Sequence, residues 1–174
     1  MWLKECEESH DLCKESCRNS DLPQRVLDVS EDHTVKLISV QGRKGAYITL
    51  SNTWGTDAKY LLTATNKASL ETGIPENTLP RTFMHAVQLE RCLGISYLWI
   101  DALCIQQDSP HELDEQIAKM NNIFRRSSLT LFAGAGGTAH SGLEVMNKRG
   151  VLPVTVNIKN VSGSSSIEAS KPSG

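Results

Sequence analysis

An alternation of strand and helix between residues 46 and 134 predicts an α/β fold, a single domain with a central, mainly parallel sheet flanked by helices. Three observations predict it. ISYLWI (95–100) is almost continuously apolar, as a strand covered on both faces must be. Apolar residues at helical spacing lie on either side of it, around Phe83 to the left and Leu113 to the right. Two β-rich runs, AYITLS (46–51) and SSLTLFAG (127–134), lie outside those helices, so short connections force parallel crossovers.

Each element has its own signal. Residues 1–20 read as an amino-terminal helix, with Trp2, Leu3, Cys6, His10, Cys13 and Cys17 at helical spacing, until NSDLP (19–23) breaks it. RVLDV and TVKLISV flank SEDH and predict a hairpin at the sheet edge. AYITLS ends in the turn SNTWG. Residues 55–78 hold no long element beyond a short helical turn at 66–71, and so long a connection is a functional or a disordered loop. Thr78 is placed to cap the next helix, with Pro80 in its first turn and Phe83, Ala86 and Val87 facing inward. Leu89 and Leu93 continue the spacing, and Gly94 supplies the left-handed cap. Ser109-Pro110-His111-Glu112 reads as a capping box, opening a helix with Leu113, Ile117, Met120 and Phe124 on one stripe. The last sixteen residues, KNVSGSSSIEASKPSG (159–174), contain six Ser and predict a disordered tail after a domain spanning 23–158.

Composition narrows the function classes. A chain of 174 residues with 39% hydrophobic residues suits one ordinary globular domain. A net charge of −2 gives no reason to expect nucleic acid or an anionic membrane as partner. No apolar run approaches the ~18 residues of a membrane span, and the amino terminus has no signal-peptide core. Five scattered cysteines, an odd number, fit free thiols in a reducing compartment, so the expected location is the cytoplasm.

In open α/β sheets, ligands bind beyond the carboxyl ends of the strands. SNTWG, DALCIQQD and AGAGGTAHSG all fall at such ends, which makes them the candidate site. The residues there also carry a family likeness. YITLSNTWG, LPRTFMHAVQLERCLGISYLWIDALCIQQD, EQIAKMNNIFRRSSLTLFAG and SGL together resemble the fungal heterokaryon-incompatibility (HET) domain, over roughly residues 23 to 143. WLKECEESHDLC resembles the segment that often precedes that domain.

The resemblance implies a signalling module in non-self recognition and programmed cell death, working through protein partners or self-assembly. It also implies a fold distantly similar to TIR domains, and so to the flavodoxin-like arrangement. Some TIR domains cleave nicotinamide dinucleotides with a catalytic glutamate, so NAD enters as a possible substrate and not as a cofactor. Position by position, Ser51, Trp54 and Gly55 match the first family motif, with Asn52 where an aromatic is expected. Trp99, Ile100, Asp101, Cys104 and Gln107 match the second, and Met120 and Phe124 the third. The later Arg-Gly-Trp and Gln-Glu motif is not found, and neither Glu144 nor Glu168 has its surroundings, so the chain looks like a truncated member. The alternatives to a signalling module are a dinucleotide glycohydrolase and an inactive fragment, and no catalytic residue is assigned.

Most candidates have an architectural reading beside the functional one. Asp101, the one site-placed acid, either meets a ribose or partner, or holds a loop by hydrogen bonds. Tyr97, Trp99 and Asp101 share one strand face, so the aromatics are expected to shield the carboxylate, with the SNTWG turn, Ser51 or Asn52 supplying its donors. Cys104 between Leu103 and Ile105 is a nucleophile or a small core residue. Trp54 stacks on a planar ligand or contributes burial. Cys6, His10, Cys13 and Cys17 are zinc-type ligands on one helical face, but a straight helix spreads them over about 16 Å, so no metal is expected. GAGG (134–137) lacks the Lys-Ser/Thr ending of a phosphate loop, His140 reads as a solvated loop residue, and Arg125-Arg126 complement a helix dipole.

Overall fold

The computed structural model describes residues 2–10, 19–53, 60–134 and 139–143. Its elements are α1 (Trp2–Ser9), β1 (Ser20–Asp21), β2 (Arg25–Asp28), β3 (Thr34–Ser39), β4 (Lys44–Gly45), β5 (Ile48–Asn52), α2 (Lys67–Thr72), β6 (Ile74–Pro75), α3 (Arg81–Leu93), β7 (Tyr97–Ile100), α4 (Asp101–Cys104), α5 (Pro110–Arg126) and β8 (Leu129–Ala133). The tail at 159–174, Cys13, Cys17, Trp54, Gly55, Glu144, Glu168 and most of GAGG lie outside the described residues.

β5, β7 and β8 form the expected parallel set, with β5 between the other two. Leu50 lies opposite Ile100 and Ser51 opposite Phe132, so Ser51 and Asp101 stand at the same end of the sheet. Trp99 meets the Phe124 ring edge-on at 5.5 Å, and the Tyr47 hydroxyl donates to the Ile123 carbonyl at 2.6 Å. Helix α5 therefore covers the face that carries Tyr47, Thr49 and Trp99. The right-handed crossover rule puts α3 on the opposite face.

The sheet is mixed, not mainly parallel. Its order is β6-β3-β2-β7-β5-β8, and the pairings β6–β3, β3–β2 and β2–β7 are antiparallel. The β2–β3 hairpin forms as expected but not at an edge, because β2 pairs with β7 in the interior. Burial explains the difference: Val26, Leu27 and Val29 are fully buried, and a run apolar on both faces must lie inside a sheet. A separate two-stranded ribbon, β1 with β4, flanks the sheet.

The helix ends follow their sequence signals only in part. Gly94 closes α3 at φ 71°, and its N–H reaches the Glu90 and Arg91 carbonyls. Pro80, not Thr78, precedes the first turn of α3, and Thr78 belongs to a short 3-10 turn where its hydroxyl donates to the Pro75 carbonyl. Ser109 and Pro110 start α5 as predicted, yet neither makes a capping box with Glu112, which turns away to Arg25 and the Gln106 N–H. The buried stripe of α5 is also shifted. Gln116 and Ile123 are buried, Leu113, Met120 and Phe124 are half-buried, and Ile117 is exposed.

Helix α3 is bolted to the hairpin by one arginine. Arg91 pairs with the buried Glu76 and donates to the carbonyls of Val29 at 2.8 Å and Glu31 at 2.7 Å. Gln88 donates to the other oxygen of Glu76 at 3.1 Å.

Candidate functional site

The run YLWIDALCIQQD begins as β7 and, at Asp101, turns directly into the short helix α4. The turn is held by side chains of the same run. Asp101 Oδ1 accepts from the Ala102 N–H at 2.7 Å, in the first turn where a carboxylate also complements the helix dipole. Gln107 Nε2 donates to the carbonyls of Asp101 at 3.1 Å and Ile105 at 2.9 Å, which closes the end of the turn on its beginning.

The same run then binds three neighbours. The Leu62 N–H donates to the Ala102 carbonyl at 2.7 Å, and the Gln107 N–H donates to the Leu62 carbonyl at 2.8 Å. Both oxygens of Asp108 accept from the Ala64 N–H, and that bond holds the carboxyl below its ordinary pKa. Arg25, buried at the start of β2, donates through Nε to the Cys104 carbonyl at 3.0 Å and pairs with Glu112 on α5. Glu112 Oε1 also accepts from the Gln106 N–H at 2.9 Å. The motif thus ties the 60–66 loop, β2 and α5 to the end of β7.

Each predicted site residue now has a place. Ser51 and Asn52 end β5 beside Asp101, with Phe132 and Ala133 of β8 on their other side. Among the described residues Asp101 Oδ1 accepts from the Ala102 N–H, while Asn52 Nδ2 donates to the Thr53 carbonyl, and the Trp54–Gly55 part of the turn expected to supply donors lies outside the described residues. Asn52 Oδ1 is buried and has no hydrogen-bond partner. Trp99 is 1% exposed and packs on Phe124, so the ring shapes the core under the site and is not part of its surface. Cys104 is buried as a small core residue, and desolvation pushes its thiol up to about 12, so it stays protonated at neutral pH.

The segment 139–143 closes the same end of the sheet. The Thr82 N–H donates to the Ala139 carbonyl at 2.9 Å, and the Gly142 N–H donates to the Thr82 hydroxyl at 2.9 Å. Gly142 has φ 80°, and a Cβ there would come within 3.1 Å of the His85 ring, so the SGL motif requires glycine twice over. His140 is exposed but lies edge-on to Tyr60 at 5.7 Å, so it is more than a solvated loop residue.

At the amino terminus, Cys6 Sγ and His10 Nδ1 are 3.3 Å apart. Among the described residues no group of three or more His, Cys, Asp and Glu side chains is disposed to hold a metal ion. Nor is any helix among them long and apolar enough to cross a membrane.

Sequence reasoning missed Arg25 and Glu112, the pair that joins β2 to the motif. A charged residue opening a run whose Val26, Leu27 and Val29 are apolar was the available signal. It also missed Glu90, which is fully buried on α3 with both carboxylate oxygens unpartnered.

The chain matches the family model described as heterokaryon incompatibility protein (HET) over residues 47–169. It belongs to the heterokaryon incompatibility family. The match starts after the β2–β3 hairpin and runs past 143, so the hairpin lies outside the matched region of this HET chain. No curated protein and no solved structure matches it.

Proposed function

We propose that this HET chain is a signalling module in fungal non-self recognition, one that leads to programmed cell death when incompatible strains fuse. It works in the cytoplasm through association with another protein chain, a second copy or a partner. The observation that carries this reading is Phe132. It is 78% exposed on β8, the outermost strand of the sheet among the described residues, beside the carboxyl ends of β5 and β7. A strand at a sheet edge presents unpaired N–H and C=O groups to an incoming strand, and an exposed aromatic beside them is a natural anchor. So exposed a ring contributes little burial to its own fold.

We read the fold as a distant relative of the TIR and flavodoxin-like arrangement. The parallel trio supports this, because its order β7-β5-β8 places the second strand first, the first in the middle and the third last, as the flavodoxin-like order begins. In such a sheet the strand order reverses between β5 and β8, which is where Asn52 and Phe132 sit.

Expression of the chain in fungal cells, scored by viability, tests the function. The wild type is expected to reduce viability, and Phe132→Ser to abolish that effect at unchanged melting temperature. No effect of the wild type sinks the signalling function for this chain. Toxicity that survives Phe132→Ser sinks the β8 surface as its means.

A further inference from the structure

A cavity of about 210 Å³ lies away from the strand ends already described, between α5, the β1–β4 ribbon and the start of β5. At roughly 30 Å³ per water it holds about seven water volumes, the size of a free amino acid. Its depth is polar. Gln116 is 3% exposed, and its Nε2 donates to Gln24 Oε1 at 2.8 Å. A carboxamide has two donors and an acceptor with two lone pairs, so that bond alone leaves both groups with capacity to spare.

The rim carries one carboxylate, Asp21, and two cations, Arg126 and Lys119. Asp21 and Arg126 both line the cavity and pair with each other, each more than half exposed. Exposed pairs of this kind contribute little, so a ligand that offers both charges displaces the pairing at little cost. Leu22 and Tyr47 also line the cavity. The Tyr47 hydroxyl is already committed to the Ile123 carbonyl, so its ring serves as apolar surface.

We infer that this cavity is a binding site for a free amino acid with a polar side chain. The ligand's carboxylate meets Arg126, its ammonium meets Asp21, and its side-chain amide or carboxyl reaches the Gln24–Gln116 pair. The site is independent of the β8 surface and of the family function proposed above.

Titration of the purified chain with L-glutamine, followed by calorimetry and by amide shifts in NMR, tests the inference. Succinate and inorganic phosphate serve as probes that lack the ammonium. Saturable L-glutamine binding is expected, weakened at least about tenfold by Arg126→Ala and by Gln116→Met. Arg126 is exposed, so its variant keeps the fold even if the buried Gln116 variant does not. Absence of saturable binding overturns the site. So does binding that Arg126→Ala leaves unchanged, and equal binding of succinate or phosphate reduces it to an anion contact and overturns the amino-acid assignment.

Discussion

Glu90 shows how one residue can set a pH dependence far from any site. Its carboxyl is fully buried on α3 and accepts no hydrogen bond. Desolvation pushes its pKa well above the ordinary value, against a smaller opposing effect of Arg91. The folded state therefore keeps a proton that the unfolded chain releases above about pH 4.3. Fewer protons bound when unfolded means that stability falls as pH rises, starting at the unfolded pKa and ending at the folded one. Every tenfold difference in proton affinity between the two states is worth about 1.4 kcal/mol. Glu90→Gln removes the titrating group at nearly constant volume. Urea unfolding of wild type and variant should therefore diverge as pH rises from about 4 toward about 8, the wild type losing stability relative to the variant. A gap between the two that stays constant across that range would show that the Glu90 carboxyl titrates alike in the folded and unfolded chain. Asn52 is the second residue of this kind. The family resemblance implies an aromatic at its position, and a ring needs no partner where Asn52 leaves its Oδ1 unsatisfied.

At the scale of elements, the opening of α5 explains what the sequence made legible and what it did not. Proline at its first position and Ser109 before it are local signals, and they place the helix start correctly. Glu112 also fits a local pattern, the capping box, but a tertiary partner outcompetes it. Arg25 is 87 residues away in sequence and buried, so an unpaired guanidinium there would be costly, and the carboxylate goes to it. The same reasoning covers β2, whose strand character was legible while its pairing with β7 inside the sheet was not. Of the site, the polar residues after β7 were legible as a group, but their targets, Leu62 and Ala64, lie in a loop without periodicity. Removing one side of the buried pair tests its weight. Arg25→Met should destabilise by about 3 kcal/mol, because Glu112 is left with a charge and few donors, whereas Arg25→Met with Glu112→Leu should recover a good part of that. Chemical denaturation measures both. A single-variant cost no larger than the ~0.5 kcal/mol of an ordinary surface substitution would mean the tie is ornamental.

At the scale of the whole molecule, the sheet has two halves that meet along a short seam. β6, β3 and β2 are antiparallel, with β2 and β3 joined as a hairpin, β7, β5 and β8 are parallel and joined by helices, and β2 meets β7 over the pairs Leu27–Leu98 and Asp28–Tyr97. Bonds beyond the strands reinforce that seam: the Val29 N–H donates to the Ser96 carbonyl at 3.0 Å, Arg91 to the Val29 carbonyl, and Arg25 to the Cys104 carbonyl. The core residues Leu27, Ile48, Leu98 and Ile100 are all fully buried across both halves. One cooperative unit is therefore expected, with β2, β5 and β7 amides exchanging only on global unfolding. β8 differs, since β5 is its one partner strand among the described residues and none of its own residues is buried. In dilute protein its amides should exchange at least about tenfold faster than those of β7, a gap of about 1.4 kcal/mol in local opening. Raising the protein concentration should slow β8 selectively if copies associate along that edge, and Phe132→Ser should remove the concentration dependence while leaving β7 unchanged. Exchange at β8 as slow as at β7 even at the lowest concentration would mean that the edge is covered within the chain, and the association surface proposed for this HET protein would then have to lie elsewhere.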